Sequence, residues 1–262
     1  MKIRTAIAVL ILLAFAVAAT AATVRVSESN YAALGWTKTL KTGAETGQAV
    51  TFMARTDTVP AGVQGVQCSP KKSTTAGLSW AGLGMDAFQG RMVSSITVFK
   101  LRTNGFEGDG TAWEPPSVYL GLSKDGTNQR SLRYLPYAST SRGTSWNYYE
   151  YDLMSPTSKW YSKIDGTIKT GWAGVLGVSA TLQFDNTVTT PLPGGNSFNV
   201  FNGCSQNGEI AYGSSARGMV DWVEIGFAGE ESTIYDFVVP EPGSLLALAT
   251  GLIGFIGLRK RF

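Results

Sequence analysis

The chain has 262 residues, 44% hydrophobic and 16% charged, with 22 Lys and Arg, 19 Asp and Glu and no histidine. The missing imidazole excludes Ser-His-Asp and Cys-His hydrolysis, histidine metal sites and a histidine general base. Five of the basic residues (Lys2, Arg4, Arg259, Lys260, Arg261) and one acidic residue (Glu241) lie at the two ends, so the body between is close to neutral and carries no basic patch for nucleic acid.

Lys2 and Arg4 precede an apolar run from Ala6 to Val17 and a small-residue stretch that contains Ala19-Thr20-Ala21. This order reads as a secretory signal peptide over residues 1–21, cut by signal peptidase after Ala21, with Ala16-Val17-Ala18 as the competing site. Both ends then carry positive charge toward the cytoplasm, which places the intervening body outside.

Residues 22–239 are rich in Gly, Ser, Thr and aromatics, and no segment sustains a 3.6-residue apolar period. The expectation is an all-β fold without helices, an antiparallel two-sheet β-sandwich with jelly-roll-like connections. In chain order the expected strands begin with Ala49 to Ala54, followed by a turn at Pro60-Ala61-Gly62. Val93 to Arg102 has apolar residues on both faces and is expected to be buried on both sides. Val118 to Leu122 places Val118, Leu120 and Leu122 on one face. Trp146 to Leu153 and Val175 to Phe184 follow; Met219 to Phe227 aligns Val223, Ile225 and Phe227 toward a core, and Ile234 to Val238 ends the body. Asn104 to Pro116 and Asn186 to Ser197 read as the longest loops. Trp80-Ala81-Gly82-Leu83-Gly84 and Trp172-Ala173-Gly174-Val175-Leu176-Gly177 echo one another, but too briefly to be a repeat.

Cys68 and Cys204 are the two cysteines, and in an exported chain an even count predicts one disulfide between them. It would close a loop of more than half the chain and contribute about 4 to 5 kcal/mol on the loop-entropy model.

Four groups of residues bear on chemistry. Glu150 and Asp152 share a strand face at roughly 6 to 7 Å, near the separation glycosidases use, although such pairs are common on solvated faces. Trp146, Asn147, Tyr148, Trp160 and Tyr161 combine flat apolar rings with hydrogen-bonding groups, as a sugar-binding surface would, but large aromatics are more often what a sandwich core uses. Glu107 and Asp109 in Glu107-Gly108-Asp109-Gly110 are a weak calcium candidate without EF-hand spacing. No catalytic residue, no other metal site and no cofactor is expected, and the chain is read as a non-enzyme.

The end of the chain is the most specific stretch. Pro240-Glu241-Pro242 rules out helix locally. The uncharged run Ser244 to Leu258 follows, expected as a transmembrane helix of roughly 22 Å against a hydrocarbon core of about 30 Å, and Arg259-Lys260-Arg261 closes it on the cytoplasmic side. Residues 239–262 resemble the PEP-CTERM sorting signal, a tail of Pro-Glu-Pro, transmembrane helix and Arg-rich end found on exported bacterial proteins. The resemblance implies recognition of Pro240, Glu241 and Pro242 by an exosortase-type membrane protease, a stop at Arg259 to Arg261, and delivery to the cell surface or exopolysaccharide matrix from a membrane-anchored intermediate. Within the body, Leu132-Arg133-Tyr134-Leu135-Pro136, Trp146, Asp152 and Lys159-Trp160 look like arrangements in exported jelly-roll domains related to carbohydrate-binding modules, which supports the fold expectation and transfers no binding residue. The resulting reading is an exported structural or adhesive surface protein with exopolysaccharide as a candidate partner. Its alternatives are a carbohydrate-binding module and a glycosidase or polysaccharide lyase.

Overall fold

The structure, a computed structural model, describes residues 21–40, 49–55, 63–69, 79–106, 116–124, 130–136, 147–187, 196–204 and 217–239. The expected signal peptide up to residue 20, the turn at 60–62 and residues 240–262 of the tail, with its expected helix over 244–258, lie outside them. Among the described residues no helix is long and apolar enough to cross a membrane.

The strands are β1 (Ala22–Val26), β2 (Trp36–Leu40), β3 (Ala49–Arg55), β4 (Val63–Ser69), β5 (Ser79–Met85), β6 (Ile96–Phe106), β7 (Ser117–Ser123) and β8 (Arg130–Tyr134). They continue with β9 (Asn147–Asp152), β10 (Lys159–Ser162), β11 (Thr167–Thr170), β12 (Gln183–Phe184), β13 (Phe198–Cys204), β14 (Arg217–Phe227) and β15 (Thr233–Phe237). They form two sheets, as an all-β sandwich requires. In the first, β14 is the spine: it pairs with β6 along one side and with β4 and then β15 along the other, while β3, β1 and β9 add outward. The second runs β11-β10-β8-β7-β13-β5-β2, with β12 against β7. The named pairings are antiparallel except one: β1 lies parallel to β15, Ala22 beside Thr233 and Val26 beside Phe237.

Alternation sets which residues meet between the sheets. Phe99, Leu101, Val223, Ile225 and Phe237 from the first sheet are buried with Leu83, Met85, Leu120, Leu132, Phe198 and Val200 from the second. Aromatic rings meet edge to face in the core: Trp36 of β2 reaches Phe237 of β15 across the two sheets at 5.1 Å, and Phe88, in the turn after β5, packs on Phe198 at 5.4 Å. A bulge in β14 between Val220 and Trp222 inserts Asp221 and restores the alternation, so that Val220 and Val223 both reach the core.

Three expectations need correction. Gly171–Ser179 is a helix, and of the Val175 to Phe184 stretch only Gln183–Phe184 is strand. Trp172, Val175 and Ser179 are its buried face, a three-and-four spacing that strand alternation cannot serve. The Val93 to Arg102 stretch opens with a 3-10 turn at Val93–Ser95, and past Ile96 only one face is buried, with Phe99 and Leu101 inward and Lys100 and Arg102 half-exposed. Burial on both faces falls instead on strands of the second sheet, among them β7, β8 and β13.

The third correction is the disulfide. Cys68 is a free thiol, fully buried near the end of β4 in the first sheet, whereas Cys204 ends β13 in the second. Burial pushes the Cys68 thiol up to about 12, partly offset by a hydrogen bond with the Asn202 backbone, so it stays protonated and inert. An even cysteine count supplies two thiols, but pairing needs their Cα atoms within about 7 Å and their Cβ vectors aimed together.

Candidate functional site

The sugar-binding candidates that are described lie on different strands and sheets. Trp160 is 0% exposed, its ring packs 6.0 Å from Phe99 and 5.4 Å from Tyr134, and its Nε1 donates to the Leu153 carbonyl at 3.1 Å. It is a core residue and offers no face to a ligand. Tyr161, its neighbour on β10, points to the outer face of the second sheet and is half-buried. Asn147 and Tyr148 lie on β9 in the first sheet, and Trp146 is outside the described residues. Glu107 and Asp109, the calcium candidate, are outside them as well.

Strand register instead assembles a row that local sequence does not show. Across the outer face of the second sheet Tyr161 lies opposite Arg133, Arg133 opposite Tyr119, and Tyr119 opposite Asn199. The Tyr119 hydroxyl donates to Ser131 Oγ at 2.7 Å, and the Arg133 guanidinium stands 5.3 Å from the Phe201 ring centroid. Arg133 is 2% exposed and Tyr119 1%, so the row is buried polar packing rather than an open stacking platform. Close by, the buried Asp185 carboxylate is raised by burial but drawn below its ordinary range overall by hydrogen bonds from Ser123, Thr187 and Gln89.

Glu150 and Asp152 do share a face, the exposed outer side of the first sheet, where Glu150 sits opposite Arg102 and Asp152 opposite Lys100. Asp152 Oδ1 accepts from the Met154 amide at 2.9 Å, the turn-forming use of a carboxylate. The same face carries Arg102 to Asp221 at 3.1 Å and Lys100 to Glu224 at 3.5 Å. Desolvation raises Asp221 to about 6 despite Arg102, with Asp236 adding repulsion. The folded state therefore holds that proton more tightly than the unfolded chain, and Asp221 withdraws stability as pH rises from about 4 to 6. The face is a ladder of opposite charges in which Glu150 and Asp152 lie beside Arg102 and Lys100.

At the C-terminal end of the body the geometry becomes specific. β15 is held between β14 and β1, and the Val238 amide donates to the Val26 carbonyl at 2.8 Å. The Val239 amide donates to Gln64 Oε1 at 3.0 Å, and the Val239 side chain packs against the core. The pairing of Gln64 with Val239 was not legible in the sequence, because partners 175 residues apart leave no local signal.

Pro240 follows Val239 directly, so the motif starts where the sheet ends. No curated protein and no solved structure matches the chain. Residues 238–261 match the PEP-CTERM protein-sorting motif, the mark of an exported protein processed by an exosortase-type membrane protease.

Proposed function

We propose that the protein is a structural or adhesive component of the cell surface or extracellular polysaccharide, built as a jelly-roll-like sandwich and delivered by its tail. The observation that carries this reading is the sorting motif at residues 238–261, joined to the last strand of the sandwich without a spacer. The signal peptide exports the chain and is removed after Ala21, and the apolar run 244–258 holds the body at the membrane with Arg259 to Arg261 inside. The protease then recognises Pro240, Glu241 and Pro242 and passes the body outward. The ladder of paired opposite charges on the outer face of the first sheet supports a surface-presented module over a catalytic one. Intact mass and fractionation of the native protein test this against a Pro240→Ala/Glu241→Ala/Pro242→Ala variant. Loss of the tail from the wild type alone supports sorting, and two full-length membrane proteins overturn it.

The carbohydrate-binding reading rests on Tyr161, the one sugar-binding candidate with a described side chain outside the core, beside Arg133. Retention on a polysaccharide affinity gel that is lost in Tyr161→Ala would favour it. For a glycosidase or lyase, Glu150→Gln and Asp152→Asn must abolish activity while the fold persists.

A further inference from the structure

We propose that the end of the fold is itself part of the sorting device: Gln64 is a positioning residue that, with Val26, withholds Val238 and Val239 from the protease and fixes the upstream limit of the cut. This rests on the reading that the tail is cleaved. Proteases that take their substrate in extended form use its backbone amides and carbonyls on both sides of the scissile bond. Here two of the amides are already committed. Val238 donates its amide to Val26 of the parallel strand β1, and Val239 donates to the side chain of Gln64 on β4, a different strand of the same sheet.

Pro240 then ends the ladder, because it has no amide to donate and it holds Val239 in an extended conformation. Only Pro240, Glu241, Pro242 and Gly243 separate the clamp from the apolar run. Fully extended they reach about 14 Å. By length alone, at most that span of chain lies between the folded sheet and the apolar run. The Gln64 amide closes the sheet side through one acceptor oxygen. β1 is an edge strand added by parallel pairing, so without Gln64 the residues after Phe237 fray first.

The test uses the full-length protein expressed in its host, with pulse-chase processing and intact mass of the released body for wild type, Gln64→Ala and Gln64→Glu. Amide exchange of Val239 is read on the same full-length proteins in detergent. Loss of one hydrogen bond raises the frayed population about fivefold. Gln64→Ala should therefore speed processing severalfold or add bodies truncated upstream of Val239, with faster Val239 exchange. Gln64→Glu keeps an acceptor oxygen at the same reach and should restore wild-type exchange, cut site and rate. If Gln64→Ala loses Val239 protection but is cut at the same bond and rate, the positioning role is overturned while sorting stands. If the wild-type body ends before Val239, the role is likewise overturned. If none of the three is cut, the sorting reading falls, and this inference with it.

Discussion

Trp80-Ala81-Gly82-Leu83-Gly84 and Trp172-Ala173-Gly174-Val175-Leu176-Gly177 differ by one inserted valine, yet the first is the middle of β5 and the second opens a helix. In β5, Ala81, Leu83 and Met85 alternate into the core, while Trp80 stays half-buried on the outer face beside Tyr119 and Phe201. A Cβ on Gly82 would lie 2.8 Å from Phe201 Cα and closer still to the Val200 carbonyl oxygen; glycine there lets β13 and the Phe201 ring close over the strand. In the helix Trp172 is buried 5.8 Å from the Trp160 ring, Gly171 takes φ of 68° at the strand-to-helix corner, and Gly177 has open space around it. Composition does not choose between the two states. The register of the buried residues does, two apart in the strand and three to four apart in the helix.

The most severe way to break this comparison is to insert Val between Gly82 and Leu83, making the strand sequence match the helical one. A one-residue slip turns Leu83 and Met85 out of the core, and calorimetry should show no cooperative unfolding transition. If a native-like transition survives, register is not what decides. Next, Gly82→Val places a branched side chain against β13 and should cost about 3 kcal/mol or more through overpacking, seen as a lower urea midpoint. Trp172→Ala should cost about 3 to 5 kcal/mol, and the half-buried Trp80→Ala clearly less in the same denaturation series. Equal losses would mean that the two tryptophans play the same part. At the small end, Gly177→Ala sharpens the contrast by stabilising the helix about 0.5 to 1 kcal/mol, a rise of about 2 °C in the melting midpoint. Any decrease there would refute open space around Gly177.

Strands whose alternation is local were legible: Ala49 to Ala54, Val118 to Leu122 and Met219 to Phe227 lie within strands of the structure, and Ile234 to Val238 runs one residue past the end of β15 at Phe237. The shared face of Glu150 and Asp152 was legible for the same reason. The helix was missed because its three glycines depress helix propensity and its apolar residues also suit a buried strand. Trp160 could be read either as core or as ligand-facing, because a tryptophan beside a tyrosine gives no hint of which way a strand faces. Only pairing of β10 with β8 turns Trp160 inward and Tyr161 outward.

The sequence by itself determined the sorting tail, the missing imidazole chemistry and the strand-rich body, because each is written in consecutive residues or in composition. The tertiary structure alone decided that Cys68 is a buried free thiol, that Tyr161, Arg133, Tyr119 and Asn199 form one row, and that Gln64 holds Val239. These depend on which strands become neighbours. Neighbours in a sandwich are set by burial of both inner faces at once, a property of the whole chain that no short stretch carries.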